Sequence, residues 1–219
     1  CSFPVSSTKK FTEKQRIVYT AVLEAQLSVY EILAPGVSWV DCHRAAEKAI
    51  LENMMKAGLV VLADAKDVEE LIEKRVGAVF MPHGLGHFIG IDTHDVGGYL
   101  EGHPKRHEGP GLSKLRTARI MQENMCLTVE PGCYFIDCVI DDALADPNKA
   151  KHLVADKIAE FRGTGGVRLE DVLAITADGC VNYTNCPRTI DEVECVIGGG
   201  KWPPAQDVEP RLRRKFLVK

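Results

Sequence analysis

Three of the chain's seven histidines lie in one glycine-rich stretch, residues 81–98. His83 and His87 are four residues apart, a spacing that would place two imidazoles on one face of a helix. Gly84 and Gly86 argue against a helix, because each glycine would cost it about 1 kcal/mol. The stretch therefore predicts a glycine-supported loop or strand end, whose histidines are suited to metal ligation or proton transfer.

A second polar pair, His94 with Asp95, follows in the same stretch. The alternative interpretation is that all these histidines are ordinary turn residues with satisfied hydrogen bonds. The stretch alone does not decide between the two.

Two predicted strands each carry a glutamate. Residues 126–130 alternate in polarity and place Glu130 on the polar face of a half-buried strand. Residues 167–170 alternate in the same way and put Arg168 beside Glu170 on one face. A glutamate before proline is commonly no more than a surface residue at a strand end, so each motif is weak alone.

One imidazole and two carboxylates, from His87, Glu130 and Glu170, form a candidate ligand set. Such ligands suit manganese, cobalt or zinc and disfavour thiolate copper sites. Nearby, Arg116 and Arg119 flank a short segment. They form either a solvated face or a guanidinium fork for a substrate carboxylate, since arginine offers paired donors in one plane.

The composition is that of an ordinary globular protein. The 219 residues carry a net charge of −4, which argues against a nucleic-acid partner, and contain no apolar run that would span a membrane. Seven cysteines beyond Cys1 show no zinc-ribbon or CxxC spacing, which predicts buried thiols in a reducing, cytoplasmic compartment. They are Cys42, Cys126, Cys133, Cys138, Cys180, Cys186 and Cys195.

Helices come first in the chain and strands later, which predicts an α+β fold. Capping signals at Thr12 and Ser38 open two helices, and Pro35 and Gly58 follow their ends. Further expected elements are a strand at 1–5, a helix at 68–74, a strand at 79–80 leading to the His83 loop, mostly helical or irregular structure at 136–161, a hairpin turn at 178–179 and a helix at 190–196. We expect a catalytic domain over residues 1–197 and a loosely ordered tail over 198–219.

The order of five short motifs is far more specific than any one of them. These motifs are HGLGH, IDTHDVGGY, LRTAR, LTVEPG and GGVRLED. In this order they resemble the C-terminal catalytic domain of the prolidases, the Xaa-Pro dipeptidases of the pita-bread metallopeptidase family. The resemblance covers residues 1 to about 196, and it implies a curved, mainly antiparallel sheet flanked by helices.

The resemblance also implies roles for individual residues. The metal ligands would be His87, Glu130 and Glu170. The catalytic residues would be Glu130, which takes a proton from the attacking water, and His94, which hydrogen-bonds the developing oxyanion or the substrate amide. Contacts to an Xaa-Pro dipeptide would come from His83, His94, Arg168 and Arg116, the last holding the carboxylate of the C-terminal proline.

The family site holds two divalent cations, with manganese expected first and cobalt or zinc as alternatives. Two further ligands of the family, both aspartates, lie upstream of the position that matches Cys1. The family's N-terminal domain, which helps form a homodimer, also lies upstream. Because the chain begins with cysteine rather than methionine, we interpret it as an N-terminally truncated piece whose own competence is in doubt.

Three other interpretations stay open at this stage. An Xaa-Pro aminopeptidase would share the ligand set, although residues 97–119 most resemble the dipeptidase. A creatine-hydrolysing relative keeps the fold without metal, but the presence of His87, Glu130 and Glu170 argues against it. A metal-free binding module that uses the same fold as an interaction surface is the third.

Overall fold

The computed structural model describes residues 2–215, which fold into helices and antiparallel strands as the sequence predicts. Two long helices open the chain, α1 Glu13–Ile32 and α2 Trp39–Lys56. Thr12 and Gln15 form the predicted capping box on α1, each side chain bonding the other's backbone N–H. Ser38 caps α2 by accepting from the Val40 N–H at 3.2 Å. The two helices pack against each other.

Six shorter α-helices follow within residues 2–215. They are α3 Val68–Glu73, α4 Gly77–Phe80, α5 Asp137–Ala145, α6 Pro147–Ala150, α7 Ala155–Ala159 and α8 Ile190–Ile197. No helix in the described part of the chain has both the length and the apolarity needed to cross a bilayer.

In the described part of the chain, five strands form two small antiparallel sheets. They are β1 Cys126–Val129, β2 Gly132–Tyr134, β3 Gly166–Arg168, β4 Asp171–Thr176 and β5 Gly179–Asn182. One sheet has the order β1-β4-β5 and the other pairs β2 with β3. Glu130 lies in the link from β1 to β2, and Glu170 lies in the link from β3 to β4.

The register brings these two links together. Val129 pairs with Asp171 in the first sheet, and Gly132 pairs with Arg168 in the second. Two antiparallel segments of the chain, 126–134 and 166–176, therefore run side by side through both links. Each glutamate lies where the chain passes from one sheet to the other.

The core lies between α1, α2 and the sheets. Its largest buried side chains include Trp39, Tyr19 and Tyr30. Tyr30 donates a hydrogen bond to Asp171 Oδ2 at 2.8 Å, so a buried carboxylate at the start of β4 is tied to the first helix.

Three local predictions differ from the structure. Val79 and Phe80 belong to α4 rather than to a strand, because a short buried apolar run fits either element equally well. Residues 2–5 form no strand, and Cys1 lies outside the described residues. Cys138 and Cys195 are exposed rather than buried, since each lies on the outer side of a short helix that has only one face on the core.

Part of the segment after Ile197 packs on the body, and for this part the expectation of a loose tail does not hold. Leu212 is buried. Arg214 forms ion pairs with Glu192 at 2.7 Å and with Asp207 at 2.5 Å, and these charges hold the segment against α8. Residues 216–219 lie outside the described part, and the domain boundary at 197 stays a prediction.

Candidate metal centre

His87 lies in an extended loop that runs along the free edge of β1. Its backbone N–H donates to Thr128 Oγ1 at 3.1 Å, and its carbonyl accepts from the Thr128 N–H at 2.8 Å. A Cβ at Gly86 would lie only 2.0 Å from the Thr128 carbonyl oxygen. Glycine is therefore required where the loop meets the strand.

The His87 ring is held in one tautomer by the backbone. Its Nδ1 lies 2.8 Å from the Phe88 carbonyl oxygen, and since a carbonyl can only accept, Nδ1 carries the proton. The other nitrogen, Nε2, lies 3.2 Å from Glu130 Oε1 and is the nitrogen left to ligate a cation. Histidines that ligate metals are typically oriented in this way.

Glu170 completes a group of three with His87 and Glu130. One donor atom from each of these side chains lies within 4.8 Å of the other two. His87 is buried, whereas Glu170 is exposed. The structure thus brings together one imidazole nitrogen and two carboxylates, a donor set that fits one divalent cation.

Two neighbours hold the Glu130 carboxylate. Thr128 donates to Oε1 at 3.1 Å, and Arg168 Nη1 donates to Oε2 at 2.5 Å. Arg168 Nε also donates to the Tyr134 hydroxyl oxygen at 2.6 Å. Glu130 is therefore fixed from both sides, with a full positive charge beside it.

Glu170 is positioned through its neighbour Asp171, which is fully buried. Asp171 accepts from Asn182 Nδ2 at 2.7 Å and from Arg188 Nε at 2.9 Å, in addition to Tyr30. Arg188 also donates to the Glu170 carbonyl oxygen at 2.5 Å. The backbone that carries Glu170 is thus anchored in the core while its side chain faces solvent.

One ring nitrogen of His83 makes no hydrogen bond to the described residues. Its Nδ1 lies 2.8 Å from the Gly84 carbonyl oxygen, whereas Nε2 is buried and has no hydrogen-bond partner among residues 2–215. Burial, with the charge of Arg168, lowers the pKa of His83 from 6.5 to about 4. The ring is therefore neutral at pH 7, and Nε2 is a hydrogen-bond acceptor.

His94 stands over the site from an exposed loop. Its ring meets the His87 ring edge-on, with 4.4 Å between the centroids. Asp95, the next residue, donates its N–H to the Phe88 carbonyl oxygen at 3.0 Å, which ties the loop down.

A cavity of about 330 Å³ connects most of the predicted residues. Its lining includes His83, His87, His94, Lys114, Arg116, Glu130 and Arg168. Arg116 is exposed, as a residue that meets a substrate must be. Arg119, the other arginine of the LRTAR motif, lies over the Phe88 ring at 5.7 Å and is not among the lining residues.

Sequence reasoning missed two residues of the site, Tyr134 and Lys114. The Tyr134 ring also contacts the His83 ring, with centroids 5.6 Å apart. Its position on a short strand next to Gly132 gave no chemical signal. Lys114 precedes the LRTAR motif and has no chemical signal in the sequence, whereas in three dimensions it lines the cavity.

Comparison with known proteins gives this geometry a family. The sequence profile of metallopeptidase family M24 matches residues 2–177. The chain belongs to metallopeptidase family M24. It is 48% identical over 199 residues to the human Xaa-Pro dipeptidase, and 38% identical over 198 residues to a probable Xaa-Pro aminopeptidase of Talaromyces marneffei.

Solved structures of aminopeptidase P share the fold of this M24 chain. The Pseudomonas aeruginosa enzyme has a TM-score of 0.66 at 31% identity, covering 90% of this chain and 37% of that one. The zinc-substituted Escherichia coli enzyme with product has a TM-score of 0.62 at 28% identity, covering 92% of this chain and 38% of that one. These matches confirm the pita-bread fold that the sequence motifs imply.

The M24 chain spans about two-fifths of its curated relatives. The matched region covers 91% of this chain but 39% of the human dipeptidase, and 90% of this chain but 41% of the Talaromyces protein. The matched part includes every residue of the candidate metal centre.

Proposed function

We propose that the native protein hydrolyses Xaa-Pro dipeptides, with a C-terminal proline, in a reaction that depends on divalent metal. The single observation that carries the proposal is the convergence of His87, Glu130 and Glu170 beside a cavity that also holds Arg116. The site then has ligands for a cation and a guanidinium that can bind the substrate carboxylate.

The donor set supports a site for hard to borderline cations. A tautomer-fixed imidazole and two carboxylates would hold one cation, and His83, which lines the same cavity, keeps a buried nitrogen without a hydrogen-bond partner among residues 2–215. We propose two cations, manganese in the first place and cobalt or zinc as alternatives, with the upstream aspartates of the family as additional ligands. When bound, the cations supply Lewis-acid polarisation and an acidified water.

Glu130 would accept the proton of the attacking water. Arg168 and Thr128 fix its two oxygens, so the carboxylate does not have to reorganise when it takes the proton. His94, exposed above the His87 ring, would donate a hydrogen bond to the oxyanion that develops at the scissile carbonyl.

Arg116 would bind the free carboxylate of the substrate. A guanidinium offers paired donors that match a carboxylate, and a lysine does not. The amide nitrogen of an Xaa-Pro bond has no hydrogen, so the site can recognise the substrate only through its ends and its carbonyl. His83 Nε2, an acceptor, suits the remaining donor of a dipeptide, its amino end.

An Xaa-Pro aminopeptidase is the second candidate. The solved structures of aminopeptidase P support it, because they share the fold over about 90% of this chain. The dipeptidase is favoured by the higher identity to the human dipeptidase, 48% against 38% for the Talaromyces aminopeptidase.

The deciding experiment compares Gly-Pro with Gly-Pro-Ala as substrates of the native protein, with and without a chelator. We expect Gly-Pro to be cleaved much faster, activity to vanish on chelation, and manganese to restore it. Preferential cleavage of the tripeptide would favour the aminopeptidase. Absence of cleavage of either peptide with manganese present would favour a binding module.

We also propose a cytoplasmic protein that forms a homodimer. The thiols support the first part, because the seven cysteines of the described residues are all unpaired. The family resemblance is the support for the dimer.

A further inference from the structure

Residues 97–111 form an irregular excursion between the His94 loop and Arg116, and they fold back onto the chain just before Arg116. Tyr99 donates its hydroxyl hydrogen to the Leu115 carbonyl oxygen at 2.9 Å. Arg106 donates to the same oxygen. A carbonyl oxygen has two lone pairs, so both donors can be satisfied at once.

The two donors also support each other. The guanidinium of Arg106 lies over the Tyr99 ring, 4.1 Å from its centroid, and donates a further hydrogen bond to the Ser113 carbonyl oxygen at 3.0 Å. Burial raises the pKa of Tyr99, so the hydroxyl keeps its proton at neutral pH. Arg106 is exposed to solvent, and the contact with the Tyr99 ring restricts the orientation of its guanidinium.

Backbone contacts restrain the same segment from other directions. A Cβ at Gly84 would lie 2.7 Å from the Lys114 carbonyl oxygen, and one at Gly98 would lie 2.2 Å from the Arg116 carbonyl oxygen. The His83 loop and the start of the excursion thus contact the chain on both sides of Leu115 without intervening side chains. The Leu115 side chain is itself fully buried.

The far end of the excursion is anchored as well. Arg75 Nε donates to the Pro110 carbonyl oxygen at 2.9 Å. Arg75 is held in turn by the buried carboxylate of Glu47, with Nη1 to Oε2 at 2.8 Å. The excursion is thus fixed at its far end and at Tyr99 and Arg106. It can therefore hold the backbone of Arg116, the residue after Leu115, in one position.

The geometry points to Tyr99 and Arg106 as positioning residues of the carboxylate pocket, which act through the Leu115 carbonyl to fix the backbone from which Arg116 extends. The inference rests on the proposed function, in which Arg116 binds the carboxylate of a C-terminal proline. Neither side chain lines the cavity. Their effect should therefore appear in substrate recognition rather than in the chemical step.

The test uses Tyr99→Phe, Arg106→Gln and the double variant of the native protein, with the exposed Tyr183→Phe as the matched control. We expect KM for Gly-Pro to rise about three- to tenfold in Tyr99→Phe, the effect of one lost hydrogen bond, and at least as much in Arg106→Gln, which loses its bonds to two carbonyls, with kcat nearly unchanged in both. KM for glycyl-prolinamide, which has no carboxylate, should not change. In an Arg116→Lys background the Tyr99 and Arg106 effects should disappear.

Equal effects on both substrates, or full effects in the Arg116→Lys background, would overturn the inference. Hydrogen exchange of residues 112–118 checks the mechanism and should be faster in the double variant. Faster exchange with unchanged KM would show that the hydrogen bonds of Tyr99 and Arg106 hold the Leu115 backbone without affecting substrate binding. That result would also overturn the inference.

Failure of the proposed function can be distinguished from failure of the positioning inference. If the wild type does not cleave Gly-Pro, NMR titration with L-proline and prolinamide replaces the kinetics. Weakened binding of proline alone in the variants would still support positioning. Equal weakening of both ligands, or no proline binding by the wild type, would refute it.

Discussion

Arg168 donates a hydrogen bond to Glu130 Oε2 at 2.5 Å, although the two residues lie 38 positions apart in the chain. The pairing of Gly132 with Arg168 in the second sheet creates this contact. The carboxylate proposed to ligate a cation is therefore oriented by an arginine, which in turn is held by the Tyr134 hydroxyl. Orientation of a ligand by such neighbours is commonly as important as the ligand itself.

Arg168→Lys should lower metal affinity or activity by about 10- to 100-fold, the range found for residues that orient metal ligands. Lysine keeps the charge but lacks the two separate donor nitrogens, Nη1 and Nε, with which Arg168 holds Glu130 and Tyr134. Manganese titration and Gly-Pro hydrolysis measure the two quantities. Arg44→Lys, at an exposed ion pair with Glu73, is the control and should behave as wild type. A variant of Arg168 indistinguishable from that control would remove the orienting role.

Arg116→Lys should raise KM for Gly-Pro more than for glycyl-prolinamide, because only the acid offers a carboxylate to the guanidinium fork. Steady-state kinetics on the two substrates measure the difference. The neighbouring Arg119→Lys is a suitable control, since Arg119 lies over Phe88 and outside the cavity lining. The same increase in KM for Gly-Pro and for glycyl-prolinamide would show that Arg116 does not bind the substrate carboxylate.

Acid should destabilise the metal-free protein through His83. Its pKa falls from 6.5 to about 4 on folding, so the unfolded chain binds the proton more tightly. The contribution of neutral His83 is fully present above pH 6.5 and is lost as the pH falls towards 4, by an amount on the order of 3 kcal/mol.

His83→Gln should flatten this part of the pH profile, as measured by urea unfolding in the presence of a chelator at several pH values. Glutamine keeps a polar group but does not titrate. The expected difference between the two proteins grows between pH 6.5 and 4. Parallel profiles for wild type and variant across that window would show that His83 is not held neutral by the fold.

Arg188→Leu should destabilise the protein by about 3–5 kcal/mol, because it leaves the buried carboxylate of Asp171 without its cation. Denaturant unfolding measures the loss. Arg162→Leu, which removes exposed ion pairs to Asp137 and Asp141, should cost far less, because solvent and salt screen exposed ion pairs. Similar losses in both variants would mean that the Asp171 cluster does not anchor β4.

The candidate site was predictable because its residues follow simple periodicity. Alternation placed Thr128 and Glu130 on one face, and the 3.1 Å hydrogen bond between their side chains shows that they share it. The glycines around His87 indicate a loop rather than a helix, and the close approach of Gly86 in the structure is to the Thr128 carbonyl oxygen of β1.

The remaining features depend on contacts between distant parts of the chain. Tyr134 is an ordinary strand residue until the β2–β3 pairing brings it to Arg168. Phe80 belongs to α4, and a buried two-residue apolar run has no period that distinguishes a helix from a strand. The burial of Arg214 required knowing that Glu192 and Asp207 lie beside it, which no local pattern reveals.

Anomalous diffraction from crystals of the native protein grown with manganese tests the central claim most directly. We predict a peak about 2.0–2.2 Å from His87 Nε2 and from carboxylate oxygens of Glu130 and Glu170. His87→Ala should abolish the peak at full manganese concentration, whereas Tyr183→Phe should leave it unchanged. Manganese bound only elsewhere, or no peak beside His87, Glu130 and Glu170 in crystals of a protein that cleaves Gly-Pro, would contradict the account.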